Sequence, residues 1–232
     1  MGNNRILKMS ARLFEPVDAA SLVFFRVTSG LIMLWHVSGY WPHVEELYLS
    51  PLIHFKYYGF GWAQVLPGDG MYYLIFLLGF LASLVTLGLF YQIATILFFF
   101  GITYVFLMTQ AIYLNHVYLI CLLSFLLIFI PCHRSFSLDA IIFPKARSKF
   151  APAWCVWLLR AQIGLVYFYG GIAKLNSDWL HGEPMRTWLA GRTGYPVLGH
   201  FFKEEWFVYR LALVGWASIY LLYRYCSFAK PG

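Results

Sequence analysis

The stretch MYYLIFLLGFLASLVTLGLFYQIATILFFFGITYVFLMTQ, Met71–Gln110, contains no Asp, Glu, Lys or Arg anywhere along its length. A helix crossing ~30 Å of hydrocarbon needs about 20 mostly apolar residues, so this run holds two spans rather than one. The break falls at Phe90-Tyr91-Gln92, between a span over Met71–Phe90 and a second over Tyr91–Gln110. With almost no linker between them, the two are expected to form a tight antiparallel helical hairpin.

Outward from this hairpin lie four further apolar runs: Ala19–Ser38, Tyr113–Pro131, Trp154–Gly171 and Phe207–Tyr223. The last is the weakest, being interrupted by Arg210 and several aromatics. The expected fold class is all-α: a polytopic transmembrane helix bundle of about six spans, forming one domain over residues 1–232. Composition agrees. The 232 residues are 61% hydrophobic and 12% charged, against about 45–50% apolar and about 25% charged in a soluble domain. Such an apolar surplus cannot be hidden inside a small globule and needs the bilayer as solvent. The net charge of +7 does not point to nucleic acid, because the basic residues cluster beside the apolar runs, where they set topology.

A cytoplasmic N-terminus places Arg5, Lys8, Arg12, Arg134, Lys145, Arg147, Lys149, Arg224 and Lys230 inside. It leaves Lys56, Lys174, Arg186, Arg192 and Lys203 outside, and Arg26, Arg160 and Arg210 within spans. The excess of Lys and Arg inside favours this orientation. Two long outer loops follow from it, Gly39–Gly70, rich in aromatics, and Leu175–Trp206, both read as segments lying on the membrane. No apolar core of a signal peptide is visible in MGNNRILKMSARLFEPVDAA. Cys121, Cys132, Cys155 and Cys226 show neither CxxC nor zinc-site spacing, so they are read as free packing residues and no metal is expected.

Ionisable residues inside apolar spans are candidates for function, because leaving them unpaired is costly. Arg26 lies in the first span, His116 near the start of the fourth, Arg160 within the fifth and Lys174 just after it. Asn115 and His116 fall at the outer end of the fourth span and Lys174 at the outer end of the fifth, so an antiparallel pair would bring them to one depth. Tyr167 and Gly171 precede Lys174 by seven and three residues, on much the same helical face. The pair Gly170-Gly171 removes side-chain bulk beside that face and lets a neighbour or a flat ligand approach. Each residue also has a structural reading: Lys174 as an interfacial anchor, His116 as a helix-end residue, Arg26 and Arg160 as cations held by carbonyls or acids of the bundle.

The ordered set FEPVDAASLVFFR (Phe14–Arg26), YLNHVYLICLLSF (Tyr113–Phe125), HRSFSLDA (His133–Ala140) and LRAQIGLVYFYGGIAKLNSDW (Leu159–Trp179) resembles the vitamin K-dependent γ-glutamyl carboxylase family, whose membrane module is also called the HTTM domain. The resemblance runs from about Phe14 to Trp188. It implies that Lys174 is the base that deprotonates a reduced vitamin K-type quinol. It also implies that His116 serves the glutamate half of the reaction, and that Asn115 and Tyr167 match neighbouring active-site positions. Oxygen then converts the quinol to a strong base and finally to the epoxide. That base takes a γ-proton from a peptide glutamate, whose carbanion captures carbon dioxide. Gly170, Gly171 and Arg160 would line the quinol site, with Arg26 as a structural intramembrane charge. A lysine is a useful base only when neutral, and exclusion of water would protect the carbanion.

The same resemblance implies an integral multi-pass protein, in a bacterium one of the inner membrane, with lipid, a quinol and a glutamate-containing peptide as partners. Here Ala173 stands where animal carboxylases have a second lysine, and Asn176 stands where the family has an acid. The carboxylases continue into further helices and an extracytoplasmic domain, so the chain is expected to be a C-terminally short member or a fragment. Against the enzyme stands a second reading, a non-catalytic membrane protein that binds quinone, lipid or a partner with Lys174 as anchor. The topology has its own check. A reporter fused after Gly232 is expected in the cytoplasm, and an external signal would mean that the number of spans is odd.

Overall fold

The structure is a computed structural model and describes residues 12–192, 194, 199–208 and 210. The chain divides into two units, Met1–Leu158 and Leu159–Gly232. Four helices are long and apolar enough to cross a membrane: Ala20–His43, Gly70–Leu87, Tyr91–Met108 and Ala153–Ala173. They match the first, second, third and fifth expected spans. The fourth expected span is a shorter apolar helix, Asn115–Phe129. The sixth, Phe207–Tyr223, lies for the most part outside the described residues.

In the first unit a short strand β1 (Pro16–Asp18) leads into α1 (Ala20–Tyr40), followed by α2 (Gly70–Leu87), α3 (Tyr91–Met108) and α4 (Asn115–Phe129). Next come the one-and-a-half-turn helix α5 (Leu138–Ile142), the strand β2 (Phe150–Pro152) and the start of α6 (Ala153–Ala173). The long helices pack in chain order, α1 on α2, α2 on α3 and α3 on α4. Their contact faces carry Leu22, Met33, Leu78, Phe98, Ile102 and Leu127, all buried. Their other faces are apolar too: Phe24 is 73% and Trp35 77% exposed. Large apolar side chains standing outward on every long helix fit hydrocarbon as the surrounding solvent rather than water. Where α1 meets α2, a Cβ on Gly30 would come within 2.4 Å of Thr86 Oγ1, so glycine there sets how closely the two backbones approach.

The hairpin between α2 and α3 is as tight as the sequence led us to expect. Helix α2 ends at Gly88, with φ of +65°, whose N–H reaches back to the last turn. Two residues later Phe90 also takes a left-handed conformation, with φ of 45°. A phenylalanine accepts that conformation only when its surroundings hold it there. Asp139 at the start of α5 does so. Its carboxylate accepts hydrogen bonds from Phe90 N at 2.8 Å and Tyr91 N at 2.9 Å, while Asp139 N donates to Gly88 O at 3.0 Å. An acidic group over unpaired amides at a helix start is favourable both as a hydrogen-bond acceptor and against the helix dipole.

Arg26 joins the same knot from α1. It is 1% exposed, and its guanidinium donates to the carbonyls of Cys132 at 3.2 Å and Phe136 at 2.6 Å. Gly88 lies directly against it, since a Cβ there would meet Arg26 Nη1 at 2.4 Å and Ser137 Cβ at 2.5 Å. Tyr91 closes the knot from α3, donating to Leu127 O at 3.0 Å and facing the His133 ring at 5.3 Å. Burial pushes the Cys132 thiol up to about 12, so it is a packing group and not a nucleophile. Cys121 and Cys155 are likewise free and buried.

A two-stranded antiparallel ribbon completes this end, pairing Pro16 with Pro152, Val17 with Ala151 and Asp18 with Phe150. Asp18 then accepts from Ala20 N at 2.7 Å, giving the first amide of α1 a partner. At the far end of α3, the loop after α1 is pinned by Tyr104 OH donating to Gln64 O at 2.6 Å and Gln110 N to Phe55 O at 2.7 Å. Tyr57 stacks on Phe106 there at 5.4 Å.

In the second unit α6 continues to Ala173, followed by α7 (Ser177–Leu180) and α8 (Glu183–Ala190). Helix α8 starts after Gly182, and its Arg186 pairs with Glu183 and, at 3.4 Å, with Glu205. Trp188 is 60% and Leu180 50% exposed, which suits the interfacial position expected for this loop.

Two outcomes test the knot. Asp139→Ala strips the acceptor from two helix-start amides and is expected to lower stability by about 2 kcal/mol, read from thermal unfolding in detergent; a loss below about 0.5 kcal/mol would show that Asp139 holds nothing. His133 supplies a pH dependence. Burial is the main cause that holds its imidazole below the ordinary range, aided by Arg134 and Arg26 and opposed by Asp139. The unfolded chain therefore binds this proton at higher pH than the folded one. The contribution is complete above the unfolded value of about 6.5 and is lost as pH falls through it. His133→Gln is expected to flatten part of the fall in unfolding temperature between about pH 7.5 and about pH 5.

Candidate functional site

In the first unit the site grows from the start of α4. Thr109 is extended and its hydroxyl accepts from Ala111 N at 3.3 Å, closing a 3₁₀ turn over Gln110–Ile112. Tyr113 and Leu114 are extended, and the helix begins at Asn115 with no side-chain cap. Asn115 and His116 are thus the first two helical residues, both exposed. The His116 ring meets the His36 ring of α1 edge-on, with centroids 5.1 Å apart at 87°. His36 Nε2 shares a 3.0 Å hydrogen bond with Tyr40 OH one turn further along α1. Tyr40 in turn faces Tyr48 at 6.2 Å, and burial raises the Tyr48 phenol well above its ordinary range.

The structure therefore builds a row of two imidazoles and two phenols, His116, His36, Tyr40 and Tyr48. Such a row gathers imidazole and phenol groups that can offer hydrogen bonds to a carboxylate. His36 and Tyr40 are absent from the sequence-derived candidates. Their signal was available, because His36 is an ionisable residue within the first span and Tyr40 stands four residues on, over the same face. Nothing in the spacing tied either to His116, eighty residues away.

In the second unit the site grows from the end of α6. Tyr167 precedes Gly170 and Gly171 by three and four residues, and Lys174 follows them by four and three, the spacings of a single helical face. Gly171 is buried, Tyr167 is 43% exposed, and a Cβ on Gly170 would meet nothing within 4 Å. The helix closes by tightening: Lys174 N donates to Gly171 O at 3.0 Å and Leu175 N to Ile172 O at 2.9 Å.

Asn176 organises what comes next. Its side-chain amide donates to Ala173 O at 2.9 Å, and its Oδ1 accepts from Trp179 N at 2.9 Å. One residue thus caps the end of α6 and the start of α7, a task needing both a donor and an acceptor. An acid at this position could accept but not donate. The Trp179 indole is thereby held beside the half-buried Lys174, whose Nζ is 5.0 Å from the ring centroid. Trp188 braces the indole edge-on at 5.9 Å.

Arg160 lies on much the same side of the helix but about four turns earlier along its axis. It precedes Lys174 by fourteen residues on the same helix, about 21 Å at 1.5 Å per residue, so it cannot share a small ring with Lys174. Arg26 belongs to the polar knot described above and not to either group of site residues.

The HTTM domain family profile matches residues 14–227, nearly the whole chain. No solved structure matches it. A match of that extent, on a chain with four helices apolar enough to span a bilayer, shows that this membrane protein belongs to the HTTM domain family, the domain of the carboxylase-related proteins it was found to resemble.

Proposed function

We propose that the chain is a carboxylase-like membrane enzyme that uses a reduced vitamin K-type quinol, with Lys174 as the base toward the quinol hydroxyl. The observation that carries this reading is the construction around Lys174. A glycine pair opens the helix face before it, and Asn176 fixes an aromatic plane beside its Nζ. The residues fit a flat ring. Gly170 leaves open space, while Tyr167 and Trp179 offer aromatic faces on either side of it in the chain. The quinol, with oxygen, supplies the strong base that the side chains of a protein lack.

Lys174 takes the proton from the hydroxyl, and the Trp179 face attracts the ammonium that results. On the glutamate side, His116 and Asn115 bind and orient the γ-carboxyl group of a peptide, with His36 setting the plane of the His116 ring. Carbon dioxide is the group transferred. Six spans with both termini in the cytoplasm complete the proposal, the quinol arriving from lipid and the peptide from the outer face, in a bacterium across the inner membrane. Arg160 is assigned no contact with the ring.

The assay is quinol-dependent epoxide formation by membranes carrying the native protein or Lys174→Ala. A loss of roughly 10²–10⁴-fold is expected for a general base. Turnover that survives the substitution would remove Lys174 from the mechanism, and a folded native protein without any turnover would favour a binding protein over an enzyme.

A further inference from the structure

Away from the candidate site residues, a cavity of about 480 Å³ opens where α1 and α2 meet the connection between α4 and α6. Its lining combines two arginines, Arg26 and Arg147, with the apolar Val27, Leu87, Phe136 and Ile141. Arg26 is 1% exposed, and both its terminal nitrogens already donate to carbonyls, yet its Nε is buried with no hydrogen-bond partner. No ion pair neutralises Arg26 among the described residues, so its positive charge stands behind the cavity wall.

The charge around the cavity is one-sided. Between Pro131 and Pro152 the chain carries Arg134, Lys145, Arg147 and Lys149 but a single acid, Asp139. Asp139 is committed to the amides of Phe90 and Tyr91. None of the four basic residues forms an ion pair among the described residues. Their neighbours are apolar and turned outward, with Phe136 83% and Ile141 72% exposed. A soluble anion would satisfy the arginines and leave those side chains in water. An amphiphile satisfies both.

We propose that this cavity binds the phosphate headgroup of an anionic phospholipid, with the exposed Arg147 guanidinium as donor, the charge of Arg26 behind the wall, and the acyl chains lying against Phe136 and Ile141. The assignment is independent of the reaction proposed above. The site is small for a whole lipid but ample for a phosphate and the first methylenes, and the exposed apolar residues continue the path into hydrocarbon. Arginine suits the task because its planar fork grips phosphate oxygens in pairs.

Competition of phosphatidylglycerol against phosphatidylcholine for the purified full chain in mixed micelles measures the preference. Arg147→Gln, a change at an exposed position, is expected to lower the preference for phosphatidylglycerol about fivefold, the weight of one basic residue at an anionic surface. Lys145→Gln, equally exposed but outside the lining, is expected to lose less than half as much. Unfolding temperature in phosphatidylcholine alone should be the same for both variants and the native chain. Equal losses in the two variants would mean diffuse attraction to the surface and overturn the site. So would an unchanged preference in Arg147→Gln, or displacement of the lipid by inorganic phosphate, which would mark a site for the free anion.

Discussion

The guanidinium of Arg26 is the constraint from which the rest of the first unit follows. A cation buried in an apolar helix has to be given acceptors, and removing them leaves a charge whose exposure to hydrocarbon is among the largest costs a fold can carry. Helical carbonyls are already engaged, so the acceptors must come from backbone that is not helical. Cys132 and Phe136 provide them, on the irregular turn between α4 and α5. That turn bends through a left-handed Phe136, with φ of 45°. It delivers Asp139 to the amides at the start of α3, and it leaves room beside Arg26 only for a glycine at position 88. Each choice looks local, yet each is required by the others, as in other fully connected polar networks.

This arrangement explains why one segment quoted for the family resemblance, HRSFSLDA, contains no candidate for chemistry. Its residues close the polar knot: His133 against Tyr91, Ser137 capping α5 and donating to His133 O, Asp139 capping α3. Its contribution is positional. Helix α1 is fixed at Arg26 and carries His36 ten residues further on, so whatever holds the first residue sets the place of the second.

Much of the fold was legible because span length and hydrophobicity are properties of the chain itself. The Met71–Gln110 run yields two helices with the break where an uncharged linker of minimal length demands it. Side-chain partners were not legible in the same way. Arg26 could be marked as costly, but the carbonyls that receive it lie more than a hundred residues away, on a turn without periodicity. Asp139 stood in a quoted motif with no role, because a cap across the bundle leaves no local trace. His36 was passed over, although an imidazole inside a span carries the same physical cost as the residues that were singled out. Around Lys174 the periodicity of Tyr167, Gly170 and Gly171 could be read directly, whereas the double cap by Asn176 depends on where the chain turns after the helix. Arg160 joined the candidate list as an ionisable residue inside a span, and the helical rise sets it about 21 Å along the helix from Lys174.

The short fourth helix gains a meaning from the two polar levels of α1. Its fifteen residues span about 22 Å, less than the ~30 Å of a hydrocarbon core. On α1, Arg26 and His36 are ten residues, about 15 Å, apart. The two ends of α4 answer them: His116 at its start meets His36, and Cys132, just past its end, receives Arg26. The helix therefore runs from one polar station to the other, its length lying between their separation on α1 and the thickness of a hydrocarbon core. Irregular backbone follows at both ends, over Thr109–Leu114 and Ile130–Ser137. Such backbone is tolerated at membrane depth only where protein shields it or where it lines a cavity. At one end the shield is the knot of Arg26, Asp139 and their carbonyl and amide partners. At the other the segment satisfies itself: Tyr113 N donates to Gln110 O at 3.1 Å, and Leu114 O accepts from Val117 N at 3.0 Å and Tyr118 N at 3.2 Å, so the extended pair is tied to the turn before it and to the first turn of α4.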